Sequence, residues 1–176
     1  MASLNVLLIK PPLCLSSTRI SGATGTPPIG MAYIAAYLQQ KNIPVRIIDS
    51  FGENPYQKTP YGEQHNIFGL TNEQIIDRIT EDVDIVGISC MFSNEWFYVK
   101  KLIIGIKGKF PNMITVLGGE HATALPKYIM ESCNALDYLI LGEGEIKFYK
   151  LLECLSNKRN EIEKTKGIVY RKQNQV

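Results

Sequence analysis

The feature that most constrains the fold is a series of short, unbroken apolar runs, each followed by a turn and a helical pattern. The runs are residues 4–9 (LNVLLI), 45–48 (VRII), 84–92 (DIVGISCMF), 114–117 (ITVL) and 136–141 (LDYLIL). Apolar runs of this length, without polar alternation, suit strands buried on both faces. The first must end at Lys10-Pro11-Pro12, because proline cannot donate to a ladder. Helical patterns fill the intervals. One opens on Pro27-Pro28-Ile29-Gly30 and runs to about Lys41, with Ala32, Ala35, Ala36 and Leu38 on its packing side. A second follows Thr71, which with Gln74 three residues later resembles a capping box. Further helices are predicted over residues 94–110, 124–132 and 146–155, and a final strand over 167–171. Residues 13–26 and 50–69, rich in Ser, Thr, Gly and Pro, read as irregular loops.

Strands separated by helices imply parallel pairing through right-handed crossovers. The expected fold is α/β: a doubly wound, Rossmann-like or flavodoxin-like three-layer sandwich with a mostly parallel five-stranded sheet, order 2-1-3-4-5. A chain of 176 residues, 45% apolar and 20% charged, is one globular domain by length, here taken as residues 1–176. A net charge of +2 with no long basic run gives no sign of a nucleic-acid partner. No run approaches the roughly 20 apolar residues of a membrane span, and the N-terminus reads as a strand rather than a signal peptide. A cytoplasmic location with no membrane partner is the default expectation. The four cysteines, Cys14, Cys90, Cys133 and Cys154, have no Cys-x-x-Cys spacing. Isolated reduced thiols are expected, with no metal ligated by the chain.

Ligands of doubly wound sheets bind beyond the carboxyl ends of the strands, where strand order reverses. Those ends here are Lys10-Pro11-Pro12, Asp49, residues 89–93, 118–121 and 142–145. Ser89, Met91 and Ser93 stand after the third strand. Gly118-Gly119 after the fourth allows a tight turn or a close ligand approach, and equally a plain turn. His121, three residues beyond Gly118, is placed to face the crevice. Gly142-Glu143-Gly144-Glu145 follows the fifth strand, where the acids either bond a ligand or suit the start of the next helix. Gly-x-Gly-x-x-Gly after the first strand, the P-loop pattern and Gly-x-Ser-x-Gly are all missing. No residue is assigned a catalytic role.

Taken together in this order and spacing, LLIKPP, PPIGMAYIAAYL, VRIIDS, DIVGISCMFSN, VLGGEHATALP, DYLILGEGE and GIVYR resemble the N-terminal cobalamin (vitamin B12)-binding domain of cobalamin-dependent radical SAM enzymes. The anaerobic magnesium-protoporphyrin IX monomethyl ester cyclase-like Fe–S oxidoreductases are one similar branch. The resemblance implies cobalamin held by its nucleotide tail, with Ser89-Cys90-Met91 and Gly118-Gly119 lining the tail's groove. It also implies that Pro28 and Gly30, together with Gly142, Glu143 and Gly144, line the corrin side. Other cobalamin modules carry Asp-x-His-x-x-Gly after the first strand and ligate cobalt through that histidine. This sequence reads Lys10-Pro11-Pro12-Leu13-Cys14 there. The segment at Glu63 and His65 follows the second strand instead and is rejected as an equivalent. The implied state is base-off cobalamin without a protein histidine ligand.

Radical SAM chemistry needs Cys-x-x-x-Cys-x-x-Cys to hold a [4Fe–4S] cluster. The two cysteines nearest each other here are 21 residues apart. S-adenosylmethionine and the cluster are therefore expected in a radical SAM domain fused C-terminally and absent from this chain. By itself the chain is expected not to catalyse the methyltransferase or cyclase-type reaction. The alternative is a flavodoxin-like regulatory or protein-interaction module without a cofactor.

Overall fold

The computed structural model describes residues 4–18, 25–157 and 162–171. The elements, in chain order, are β1 (Val6–Lys10), β2 (Leu13–Ser16), α1 (Ile29–Gln40), β3 (Val45–Asp49), α2 (Ser50–Glu53), β4 (Lys58–Tyr61) and β5 (His65–Phe68). There follow α3 (Asn72–Asp77), β6 (Ile85–Ser89), α4 (Trp96–Lys109), β7 (Ile114–Gly118), α5 (Glu120–Ala124), α6 (Pro126–Ser132), β8 (Tyr138–Ile140), α7 (Glu145–Ser156) and β9 (Ile168–Tyr170). The main sheet has the order β3-β1-β6-β7-β8-β9. Its first five strands are parallel, with Val6 level with both Val45 and Ile85, and Ile88 level with Leu117. These are the five strands expected from the sequence, in the order 2-1-3-4-5. The predicted last strand adds a sixth member at the edge, antiparallel to β8.

Alternate side chains of each central strand feed two layers. Val6 and Leu8 of β1, with Ile85, Val116 and Ile140, pack under Met31, Ala35 and Leu38 of α1 and Phe148, Leu151 and Leu152 of α7. Leu7 and Ile9, with Val86, Ile88, Leu117 and Leu139, pack under α3, α4 and α6 through Ile75, Val99, Leu102, Ile103 and Ile129. Burial on both faces explains the unbroken apolar runs. The Thr71 capping box is formed: Gln74 N donates to Thr71 Oγ1 at 3.4 Å, and Thr71 N donates to Gln74 Oε1 at 2.9 Å.

Two expectations are corrected. The segments read as loops carry a second sheet, antiparallel, in the order β2-β5-β4. Leu13 pairs with Phe68, Ser16 with His65, and Tyr61 with His65. Four-residue strands of mixed polarity leave no periodic signal, and Pro60 is tolerated because β4 is an edge strand. This sheet buries Cys14 and Ile67 against Tyr98 of α4. The helix expected over residues 124–132 starts only at Pro126, as α6, and a separate short helix not expected from the sequence, α5, precedes it. Pro126 clashes with a helical residue before it, and Leu125 accordingly sits at φ −131° and ψ 48°. Residues 19–24 of the predicted first loop lie outside the described residues.

Candidate functional site: a cleft over the carboxyl ends of the strands

A cleft of about 400 Å³ opens where β1, β6, β7 and β8 end, on the side covered by α1 and α7. That is the reversal point of strand order, since β3 and β6 leave β1 in opposite directions. The floor is apolar: Leu8, Val116 and Ile140 from the strands, Ile34 from α1 and Phe148 from α7. Gly87, in mid-strand, lets Phe148 lie on the sheet, because a Cβ there would stand 3.0 Å from the Phe148 ring and 2.8 Å from Leu8. The rim is polar and combines Lys10, Thr26, Ser89, Glu120, Glu143 and Glu145. Helices α1 and α7 both begin at the rim without a side-chain cap, so their first-turn N–H groups are unclaimed by side chains.

The two glycines after β7 have different reasons. Gly119 adopts φ +103°, and a Cβ on it would sit 2.5 Å from the Cys90 carbonyl oxygen. Only glycine lets the ends of β6 and β7 meet this closely. A Cβ on Gly118 would meet one atom within 4 Å, the Ile140 carbonyl oxygen at 3.8 Å, and would project into free space of the cleft.

Lys10 is the cation of the rim. Its Nζ donates to the Thr26 carbonyl and stands 3.7 Å from Asp49 Oδ1. Burial pushes the Glu95 carboxyl above its ordinary range, against a backbone hydrogen bond at Phe92 and the Lys10 charge, which pull it down. Burial likewise pushes the Cys90 thiol up to about 12 and that of Cys14 to about 11, with the Glu95 charge adding to both. Both therefore stay protonated and unreactive at neutral pH. Among the described residues, no group of three or more His, Cys, Asp and Glu side chains is arranged to hold a metal ion. No helix among them is long and apolar enough to cross a membrane.

The cleft brings together Pro28, Gly30, Ser89, Met91, Gly118, Gly119, Gly142, Glu143 and Gly144 from the candidates singled out in the sequence. Four others lie outside its lining. Pro11 and Pro12 are buried where β1 ends. His121, expected to face the crevice, is 3% exposed and turned into the core, its ring centroid 5.7 Å from that of Trp96. Ser93 is bonded to it, Oγ to Nδ1 at 2.9 Å. His65 belongs to β5 and borders a separate shallow groove with Tyr61 and Phe97. Neither histidine lines the cleft. Lys10, named among the strand ends, and Ile29 of the PPIG segment do line the cleft, while sequence reading missed the floor residues and Thr26. Strand alternation held the signal for the floor, since Leu8, Gly87 and Val116 point to the α1/α7 side.

A doubly wound domain with a small-molecule cleft at its switch point, lipped by glycine turns and helix starts, is the class these features define. Within that class the B12 binding domain pattern matches residues 19–152. The chain belongs to the B12 binding domain family. It is 34% identical to the cytidylyl-2-hydroxyethylphosphonate methyltransferase of Streptomyces wedmorensis, covering 94% of this chain and 31% of that protein. It is 26% identical to the anaerobic magnesium-protoporphyrin IX monomethyl ester cyclase of Synechocystis, over 98% of this chain and 32% of the cyclase. It is also 26% identical to the cobalamin-dependent radical SAM methyltransferase TokK of Streptomyces tokunonensis, over 57% of this chain and 14% of that protein. The chain spans about a third or less of the length of these curated relatives.

Proposed function

We propose that this chain holds cobalamin base-off, by its nucleotide tail, as the cofactor-binding part of a longer radical SAM methyltransferase or cyclase-type enzyme. The observation that carries the reading is the cleft over the strand ends: its base is apolar, with Phe148 packed on the sheet, and at Gly118 it has room that any side chain would fill. The flat heterocycle of the tail would enter at the free space beside Gly118, against the apolar base. The ribose and phosphate of a nucleotide find N–H donors at the starts of α1 and α7, the Ser89 hydroxyl and the Lys10 ammonium. Pro28, Gly30, Gly142, Glu143 and Gly144 at the rim are left to the corrin side.

The absence of both histidines from the cleft lining supports a cobalt without a protein imidazole below it. Bound cobalamin would supply a cobalt centre able to carry a methyl group. The residues of this chain bind and orient the cofactor and keep water from its tail. The relatives' lengths support a radical SAM domain, with its S-adenosylmethionine and Fe–S cluster, elsewhere in the longer protein.

The test is a visible-absorbance titration with hydroxocobalamin, followed by gel filtration. Retained colour near one to one with a base-off spectrum is expected. An unchanged spectrum with no co-elution overturns the cofactor reading in favour of an interaction module. A histidine-ligated spectrum overturns the ligand assignment alone.

A further inference from the structure

The side chain of His121 is an unusual occupant of its position. It is 3% exposed, packs on Trp96, and belongs to the core layer beneath α4 and α5. Nδ1 has one partner, Ser93 Oγ at 2.9 Å, while Nε2 is buried without a partner among the described residues. Burial lowers its pKa, so the ring is neutral at pH 7. A leucine would fill the same space with no polar atom left unpaired, and an unpaired buried polar group is costly. The imidazole is explained by what its one bond holds.

That bond adds a side-chain tie to the loop after β6, where the Phe92 carbonyl also accepts from Glu95 N at 3.0 Å and from Cys90 Sγ at 3.6 Å. Cys90 is fixed through its main chain, its N donating to Gly118 O at 2.9 Å and its O accepting from His121 N at 3.2 Å. Ser93 is fixed through the His121 ring. Between these anchors lie Met91, 47% exposed, and Phe92, 63% exposed. Met91 lines the cleft. Two large apolar side chains on a free loop would collapse onto whatever apolar surface is near. Held at both ends, they form a fixed lip.

We propose that His121 is a positioning residue for the cleft: through Ser93 it pins the Met91–Phe92 lip against which the cofactor is held. The proposal rests on the cobalamin reading for the identity of the ligand, but the tie itself can be tested without it. His121 acts through Nδ1 alone, and an asparagine side chain places an amide atom where Nδ1 stands. His121→Asn therefore keeps the tie and leaves a void beside Trp96. Ser93→Ala, at an exposed position, breaks the tie and leaves the core filled. His121→Leu breaks the tie within an apolar core.

The three variants of the full 176-residue chain are compared in hydroxocobalamin affinity, in ligand-free Tm and in chymotrypsin cleavage after Phe92 without ligand. Ser93→Ala and His121→Leu are expected to weaken binding about fivefold, ~1 kcal/mol, and to raise the cleavage rate several-fold, with Tm nearly unchanged. His121→Asn is expected to bind within about twofold of wild type and resist cleavage similarly, while losing about 3–6 °C in Tm. Affinity and cleavage that follow Tm, with His121→Asn the worst of the three, would overturn the proposal, as would a Ser93→Ala variant that cleaves and binds like wild type. If wild type retains no hydroxocobalamin, the cofactor reading fails by itself. The cleavage pattern then still decides whether the tie exists.

Discussion

Adjacent residues after β7 meet opposite demands, which makes them separable by mutation. At Gly118 a larger side chain has space, but the space is the cleft; at Gly119 it has none, and the backbone lies in the left-handed region. Gly118→Val is expected to abolish hydroxocobalamin retention while leaving thermal unfolding close to wild type. Gly119→Val is expected to cost about 3 kcal/mol or more, seen as a large loss in urea unfolding. Loss of binding in Gly119→Val alone would place the free space elsewhere.

His121 supplies a second residue-scale prediction. Its folded-state pKa lies below the ordinary 6.5 because burial disfavours the charged ring. The stability it contributes is fully present above about pH 6.5 and is lost as pH falls through its folded pKa. Glu95, whose pKa burial raises, has the opposite slope, losing stability as pH rises above its ordinary 4.5. The difference between wild type and His121→Asn removes the Glu95 contribution. That difference is expected to shrink as pH is lowered from 7 to 5 in urea unfolding, and a difference independent of pH would show that His121 is not buried neutral. The sequence made His121 visible as a strand-end residue but not its direction. Facing the crevice or the core depends on the turn that Gly119 makes, and φ +103° is not written in the dipeptide Gly-Gly.

Among the elements, those stabilised by long apolar periodicity were legible in the sequence. The parallel strands could be read because each is buried on both sides, and α7 because Phe148, Leu151, Leu152 and Leu155 recur at helical spacing. The β2-β5-β4 sheet was not, because its stability comes from covering Cys14 and Ile67 with Tyr98, a tertiary contact that leaves no local pattern. Helix α3 joins the two regions. Its first residue, Asn72, donates its backbone N–H to Tyr98 Oη at 3.0 Å, and its Nδ2 donates to the Tyr98 carbonyl at 3.1 Å. The Thr71 cap immediately before it therefore orients an element with few residues of its own. Thr71→Ala is expected to cost about 1 kcal/mol, or roughly 2–4 °C in Tm. A shift well under 1 °C would show that the Tyr98 contacts alone fix the start of α3.

At the scale of the molecule, the cleft is not a local feature of one loop. Its walls come from β1, β6, β7 and β8 together with α1 and α7, and the same side chains, Leu8, Val116, Ile140 and Phe148, belong to the core of that layer. A ligand seated there contacts groups that separate only when the sheet and the two helices part, so binding is coupled to global unfolding rather than to a flap. A ligand that binds the folded state alone stabilises it by RT ln(1 + [L]/Kd), about 2.7 kcal/mol at a hundredfold excess over Kd. For a chain of this length that is a rise of roughly 5–10 °C in Tm. Hydroxocobalamin should produce such a rise, increasing with the logarithm of its concentration and lost in Gly118→Val. A flat Tm across concentrations, in protein that nonetheless co-elutes with colour, would mean that hydroxocobalamin binds the unfolded chain about as well as the folded one, so that the retained colour does not report the cleft.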